Sequence, residues 1–228
     1  MIKPGLFGKQ AAADNRRMDF DFGNEQLLYL KKKIDFLFIG DSITQLWDIP
    51  AYVGTEFYIV NRAAGGDTSY YLNKRFEADC IQLHPQRCIL LIGANDISEA
   101  DSDAWWRTPG RPANEVFADY CRNINEIIDK CRRAGIALTL SSVLPSDIAP
   151  PFDKELHFEM TSRMNAYLQA AAAQNHLDYL DYFSSLCLSD KKKIRPELTP
   201  DGVHPNAEGY QIMADILLPY LKNRSSHA

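Results

Sequence analysis

The 228-residue chain predicts an α/β fold, a parallel β-sheet sandwiched between two layers of helix. Three observations lead there. Strand-like and helix-like segments alternate from residue 35 onward, the pattern of βαβ units. Three of the strand segments are unbroken apolar runs rather than alternating ones, as strands covered on both faces require. The two longest connections each follow a strand segment, at the edge where open α/β sheets bind ligands. A chain of this length can bury enough apolar surface to hold one domain without disulfide or metal staples.

The elements follow in order. Residues 1–25 are polar and weakly periodic, and are expected to form a loosely attached arm ahead of a single domain, 26–228. "EQLLYLKK" (25–32) reads as a short helix. Strands are predicted at "DFLFIG" (35–40), "FYIVNRA" (57–63), "RCILLIGAND" (87–96), "GIALTLSSVLP" (135–145) and "LDYLDYF" (177–183). Between strands three and four, Val116, Phe117, Tyr120, Ile124, Ile127 and Ile128 recur near helical spacing, and Gly135 is placed to end that helix. "KELHFEMTSRMNAYLQAAAAQNH" (154–176) and "NAEGYQIMADILLPYLKN" (206–223) are the other long helices. The long connections are "ISEADSDAWWRTPGRPA" (97–113) and "PSDIAPPFDKE" (145–155), beyond the usual spacing between elements.

Composition narrows the partners. The net charge of −5 leaves no basic footprint for nucleic acid. No segment approaches the ~18 consecutive apolar residues of a membrane span. The N-terminus lacks the apolar core and cleavage site of a secretory signal, so a cytoplasmic location is expected. Cys80, Cys88, Cys121, Cys131 and Cys187 are odd in number and contain no C-x-x-C pair, so reduced thiols are expected rather than disulfides or structural zinc.

The residues able to carry chemistry cluster after the strands. Ser42 ends the run Gly40-Asp41-Ser42 directly after strand one. Such a serine either caps the next helix or acts as a nucleophile, and the second role needs a base to take its proton. In "LTPDGVHPNAEGY", Asp201 precedes His204 by three residues. A turn of that length lets the carboxylate hold one imidazole nitrogen while the other faces Ser42; the alternative is a capping aspartate beside a surface histidine. Gly65-Gly66 after strand two allows close backbone approach to a ligand, or a plain turn. Asn95 after strand three offers an amide donor, or caps the next element. Trp105, Trp106 and Arg107 lie in the long loop beyond Asn95. The two indoles are suited to stacking on a sugar, packing on an acyl chain, or anchoring the loop. Arg107 and Arg111 can meet a carboxylate or phosphate, or stay solvated. A metal set of Asp41, Asp96, Asp201 and His204 would contain a single imidazole and no H-E-x-x-H pair, so neither metal nor cofactor is expected. His84, His157, His176 and His227 read as structural or exposed, His157 in or near the loop after strand four with a position close to the site as the alternative.

"GDS" (40–42), "NRAAGGDTS" (61–69), "GAND" (93–96) and "DGVHPN" (201–206) resemble, in the same order, the four blocks of the SGNH hydrolases, the GDSL-type esterases and lipases. The resemblance implies a flavodoxin-like, five-stranded parallel sheet in the order 2-1-3-4-5. It implies Ser42 as nucleophile, His204 as general base and Asp201 as its partner. It also implies an oxyanion hole from the Ser42 N–H, the Gly66 N–H and the Asn95 amide. Ala63 stands where many members have glycine. Gly66 is preferred over Gly65 because it directly precedes Asp67-Thr68, as in the family pattern. The G-x-S-x-G signature of the α/β-hydrolases is absent. The implied activity is hydrolysis of a small-molecule ester through an acyl-enzyme. The expected substrate is a short-chain ester, acetyl foremost, on a carbohydrate. A lysophospholipase, a broad acyl esterase or a thioesterase is the alternative. From another class, the scaffold could be a non-catalytic ligand-binding module. Nothing in these motifs fixes an oligomeric state.

Overall fold

Five strands, β1 (Phe36–Gly40), β2 (Ile59–Asn61), β3 (Arg87–Leu91), β4 (Ala137–Ser141) and β5 (Asp178–Leu180), pair in parallel in the order β2-β1-β3-β4-β5. This is the predicted sheet. The computed structural model describes residues 1–101, 110–149, 151–189 and 193–225. Phe36 registers with Ile59 on one side and with Arg87 on the other; Arg87 registers with Ala137, and Thr139 with Asp178. The helices are α1 (Arg17–Leu30), α2 (Ser42–Gln45), α3 (Ile49–Val53), α4 (Ser69–Asp79), α5 (Ala94–Ala100), α6 (Ala113–Ala134), α7 (Lys154–Gln174), α8 (Phe183–Leu186) and α9 (Ala207–Ser225).

The three layers follow from the two-residue period of a strand. Leu37 and Ile39, with Cys88, Leu90, Leu138 and Leu140, point into a core shared with α4, α6 and α7. Phe36 and Phe38, with Ile89 and Leu91, point the other way, against Trp47, Ile49, Val53 and the α9 residues Met213, Leu217 and Leu221. Because both faces are covered, β1 is buried at every position. Helix α6 buries the predicted apolar stripe and stops where Gly135 turns into the left-handed region, φ 68°.

The predicted strands run past the observed ones, to 96 against Leu91 and to 145 against Ser141. Ile92, Val143 and Leu144 are buried but lie outside the strands, and burial without pairing looks the same in sequence. Residues 97–100, expected in a loop, complete α5. Helix α4 has only a short apolar stripe, Leu72 and Phe76, because its buried face also includes Asn73, Arg75 and Asp79.

The N-terminal expectation needs correction as well. Residues 17–30 form one helix, of which "EQLLYLKK" supplies only the second half. The segment is not loosely attached. Arg17, Phe20 and Asn24 are buried, and Arg17 makes a two-point contact with Asp79 of α4 at 2.6 and 2.9 Å. Two of the polar residues that marked this stretch as an arm, Arg17 and Asn24, lie on its buried face.

Candidate active site

β1 delivers Ser42 to the carboxyl edge of the sheet. Gly40 closes the strand so tightly against β3 that an added Cβ would lie 2.0 Å from the Leu91 carbonyl oxygen. Asp41 then caps α2, its carboxylate accepting from the Ile43 N–H at 3.0 Å, and Ser42 is the first helical residue. The Tyr210 hydroxyl of α9 donates to the Ile43 carbonyl at 2.8 Å, tying this turn to the layer that carries His204.

Ser42 Oγ lies 2.8 Å from His204 Nε2, and His204 Nδ1 lies 2.6 Å from Asp201 Oδ2. Asp201 Oδ1 also accepts from the backbone N–H groups of Val203 and His204, at 2.9 and 2.8 Å. Burial pushes the Asp201 carboxyl up, but these donors outweigh it and hold the group below its ordinary range. With the Nδ1 proton held by an ionised Asp201, the Nε2 lone pair faces the serine hydroxyl, the arrangement in which imidazole can take that proton. The turn is fixed from outside. Asp147, in the loop after β4, donates its N–H to the Gly202 carbonyl at 2.8 Å, and Gly202 adopts φ +84° with no room for a Cβ against Asp147.

The loop after β2 and the start of α5 bring further donors to Ser42. Gly65 donates its N–H to Gln45 Oε1 at 2.6 Å. Gly66, at φ +80°, has no acceptor for its N–H among the described residues. Asn95 Nδ2 donates to the Asp67 carbonyl at 2.9 Å, which fixes the amide and leaves its second N–H without an acceptor among the described residues. Thus Ser42, His204, Asp201, Gly66 and Asn95 are gathered at one place. Trp105, Trp106 and Arg107 lie outside the described residues. Arg111 pairs with Glu99 and Asp119 at 2.9 and 2.5 Å. Among the described residues no group of three or more His, Cys, Asp or Glu side chains could hold a metal ion.

The model of the GDSL-like Lipase/Acylhydrolase family matches residues 38–212. The chain belongs to this family. Solved structures agree. A GDSL-like lipase from Bacteroides thetaiotaomicron VPI-5482 is 27% identical with a TM-score of 0.73, over 90% of this chain and 97% of that one. A candidate acylhydrolase from Bacteroides fragilis NCTC 9343 is also 27% identical with a TM-score of 0.73, over 90% and 95%. An acetyl xylan esterase, AlAXEase, shares the fold at 24% identity and a TM-score of 0.63, over 82% and 99%. Curated protein sequences contain no match. Membership in the GDSL-like acylhydrolases implies ester hydrolase activity. No helix among the described residues is long and apolar enough to cross a membrane.

Two cavities meet at Gly66 and Asn95 in this GDSL-like acylhydrolase. One, of about 290 Å³, is walled mainly by apolar side chains, among them Ile43, Ile97, Val143, Leu144 and Val203, and contains Ser42 and His204. The other, of about 450 Å³, has a mixed wall in which Gln10, Thr68 and Glu99 stand beside Tyr70 and Tyr71. Gly66, Asn95 and Ser98 border both. Burial pushes the carboxyls of Asp41 and Asp96 up to about 7. Asp96 accepts from the Ser69 N–H and hydroxyl, so its role is to pin α4 to α5 behind the shared border.

Sequence reasoning missed several residues here. Gln45 is the acceptor that separates Gly65 from Gly66, and nothing in a lone glutamine signals that. His157, read as structural or exposed, is buried on α7 and lines the apolar cavity. Its spacing of four from Thr161, which lines the same cavity, was the available clue.

Proposed function

We propose that the chain is a serine esterase that hydrolyses a short-chain acyl ester of a polar alcohol, a carbohydrate ester foremost, through an acyl-enzyme. The observation that carries this reading is the continuous chain of contacts from Asp201 through His204 to Ser42. Ser42 Oγ attacks the ester carbonyl as His204 Nε2 takes its proton. The tetrahedral oxyanion rests on the Ser42 and Gly66 N–H groups and the free N–H of Asn95. His204 returns the proton to the leaving alcohol. Water, activated by the same imidazole, then frees the acid.

The cavities support the substrate class. An acyl group suits the apolar side. Its volume of about 290 Å³ sits at the lower end for small-molecule pockets and does not favour a long lipid tail. An acetyl group fits within it. Since a water molecule's share is about 30 Å³, a few more carbons also fit. The second cavity, which combines the aromatic Tyr70 and Tyr71 with the polar Gln10, Thr68 and Glu99, suits a sugar. The acetyl xylan esterase relationship points to the same class.

A fluorophosphonate probe, together with nitrophenyl esters from acetyl to dodecanoyl, tests the reading. The wild-type chain should be labelled, Ser42→Ala should not, and turnover should peak at the short acyl groups. Wild-type turnover by Ser42→Ala would overturn the mechanism; a peak at octanoyl or beyond would overturn the substrate class.

A further inference from the structure

The cavity of about 450 Å³ takes part of its wall from residues 7–16, a segment outside the family match at 38–212. The segment is folded by its own polar groups. Asp14 Oδ2 accepts from the N–H groups of Phe7 and Gly8, at 2.7 and 2.8 Å, and the Ala11 N–H donates to the Gly8 carbonyl at 2.9 Å. It is also pinned at both ends. The Phe7 ring centre lies 6.4 Å from that of Tyr71, and Arg16 Nη1 donates to the Ala63 carbonyl at 2.8 Å. Between these anchors, Ala13 shares an apolar cluster with Phe20 and Ala64. Ala12 sits against Gly66, where an added Cβ would come within 2.9 Å of the Ala12 Cβ. Gln10, two residues earlier, lines the cavity.

The chemistry of the wall singles out Gln10. The charged groups around it are already committed to one another. Arg111 pairs with Glu99 and Asp119, and Asp96 accepts from Ser69, whose hydroxyl accepts in turn from Asn123. Gln10 makes no hydrogen bond to another described residue. Its amide offers two donors and an acceptor without a charge, which complements the hydroxyls of a sugar, each both donor and acceptor. Tyr70 and Tyr71 add aromatic surface to the same wall. A site that hydrogen-bonds a substrate hydroxyl rejects the analogue lacking it far more strongly than an apolar pocket discriminates by size.

We infer that residues 7–16 form the alcohol-side wall of the active site, and that Gln10 is a specificity-determining residue that hydrogen-bonds a hydroxyl of the leaving sugar. The inference deepens the proposed esterase reading and rests on it for its catalytic meaning, though sugar binding can be measured without catalysis. With the acyl group held at acetyl, hydrolysis of a mono-acetylated methyl glucoside is compared with that of ethyl acetate, whose alcohol carries no further hydroxyl. Gln10→Leu, a change of similar size, should lower the kcat/KM ratio of the first ester to the second about tenfold, the equivalent of one hydrogen bond, chiefly through KM. Asp14→Ala, which takes from Phe7 and Gly8 their shared acceptor, should lower the same ratio by loosening the segment. A ratio unchanged in either variant, an equal loss on both esters included, would overturn the inference. NMR titration of the Ser42→Ala chain with methyl glucoside separates the two readings. Binding that Gln10→Leu weakens, with no ester hydrolysed by the wild-type chain, removes Ser42 as nucleophile and leaves the wall standing. Hydrolysis whose ratio does not depend on Gln10 removes the wall and leaves Ser42.

Discussion

Asn95 illustrates how a single side chain is prepared by its neighbour. One amide hydrogen is committed to the Asp67 carbonyl, so the amide cannot rotate and the other hydrogen has a set direction. In the proposed mechanism that hydrogen serves the oxyanion. Asn95→Ala should therefore lower kcat by about 10²–10³, with KM for a nitrophenyl ester much less affected. The two glycines of the preceding loop differ in the same residue-level way. Gly66 combines φ +80° with a position where a Cβ would come within 2.9 Å of the Ala12 Cβ, whereas a Cβ on Gly65 would make only contacts of 3.4 Å or more. Gly66→Ala should lower the melting temperature by about 2–4 °C or more, the equivalent of ~1 kcal/mol for a chain of this size, and Gly65→Ala by clearly less. Calorimetry on the two variants checks the order. The sequence marks both positions simply as glycine. What separates them is the Gln45 side chain, which occupies one N–H and not the other.

At the scale of elements, the loop carrying Gly66 is held from behind by α1 and α4. Arg75 of α4 is fully buried and donates to Asp67 at 2.8 Å, to the Arg62 carbonyl at 2.8 Å and to Asp79 at 3.0 Å. Arg17 and Asn24 of α1 reach the same Asp79, and Arg62 reaches Asn24. Phe20 lies among the guanidinium groups of Arg16, Arg17, Arg62 and Arg75, 4.7 to 5.6 Å from its ring centre. Burial pushes the Asp79 carboxyl up, but the hydrogen bonds and charges of Arg17 and Arg75 prevail and hold it below the usual range. Asp79→Asn leaves Arg75 with only Asp67 and Arg17 with only Asp21 as carboxylate partner, and should cost about 3 kcal/mol, read from the urea midpoint. If the network also steadies the Gly66 loop, a conservative Asp79→Glu should restore stability and kcat together. None of this was legible from the sequence. Apolar periodicity reveals a helix that buries hydrocarbon, and α1 and α4 bury ion pairs whose partners lie far apart in the chain.

For the whole molecule, the buried carboxylates predict how stability depends on pH. Asp41 and Asp96 have ordinary values of 3.8 and are raised to about 7 by burial, so their protonated forms favour the folded state. That contribution is complete below the ordinary range and is lost as pH rises through about 7. Asp79 acts oppositely: its contribution is present above the ordinary range and is lost in acid. The melting temperature should thus fall between about pH 4 and about pH 7, and Asp96→Asn, which cannot ionise, should reduce that fall. An unchanged slope in Asp96→Asn would assign the dependence elsewhere. By itself the sequence determined the sheet, its long α6, α7 and α9 helices, and the polar blocks that follow its strands. Those properties are written in short-range patterns: unbroken apolar runs, helical spacing, and a glycine at a strand end. Only the tertiary structure decided which glycine N–H is unoccupied among the described residues, that the N-terminal segment is anchored by buried charge, and that His157 and Thr161 of α7 line the cavity that holds Ser42. Each of those depends on a partner remote in sequence, and hydrogen bonding and ion pairing leave no periodic trace in the chain that makes them.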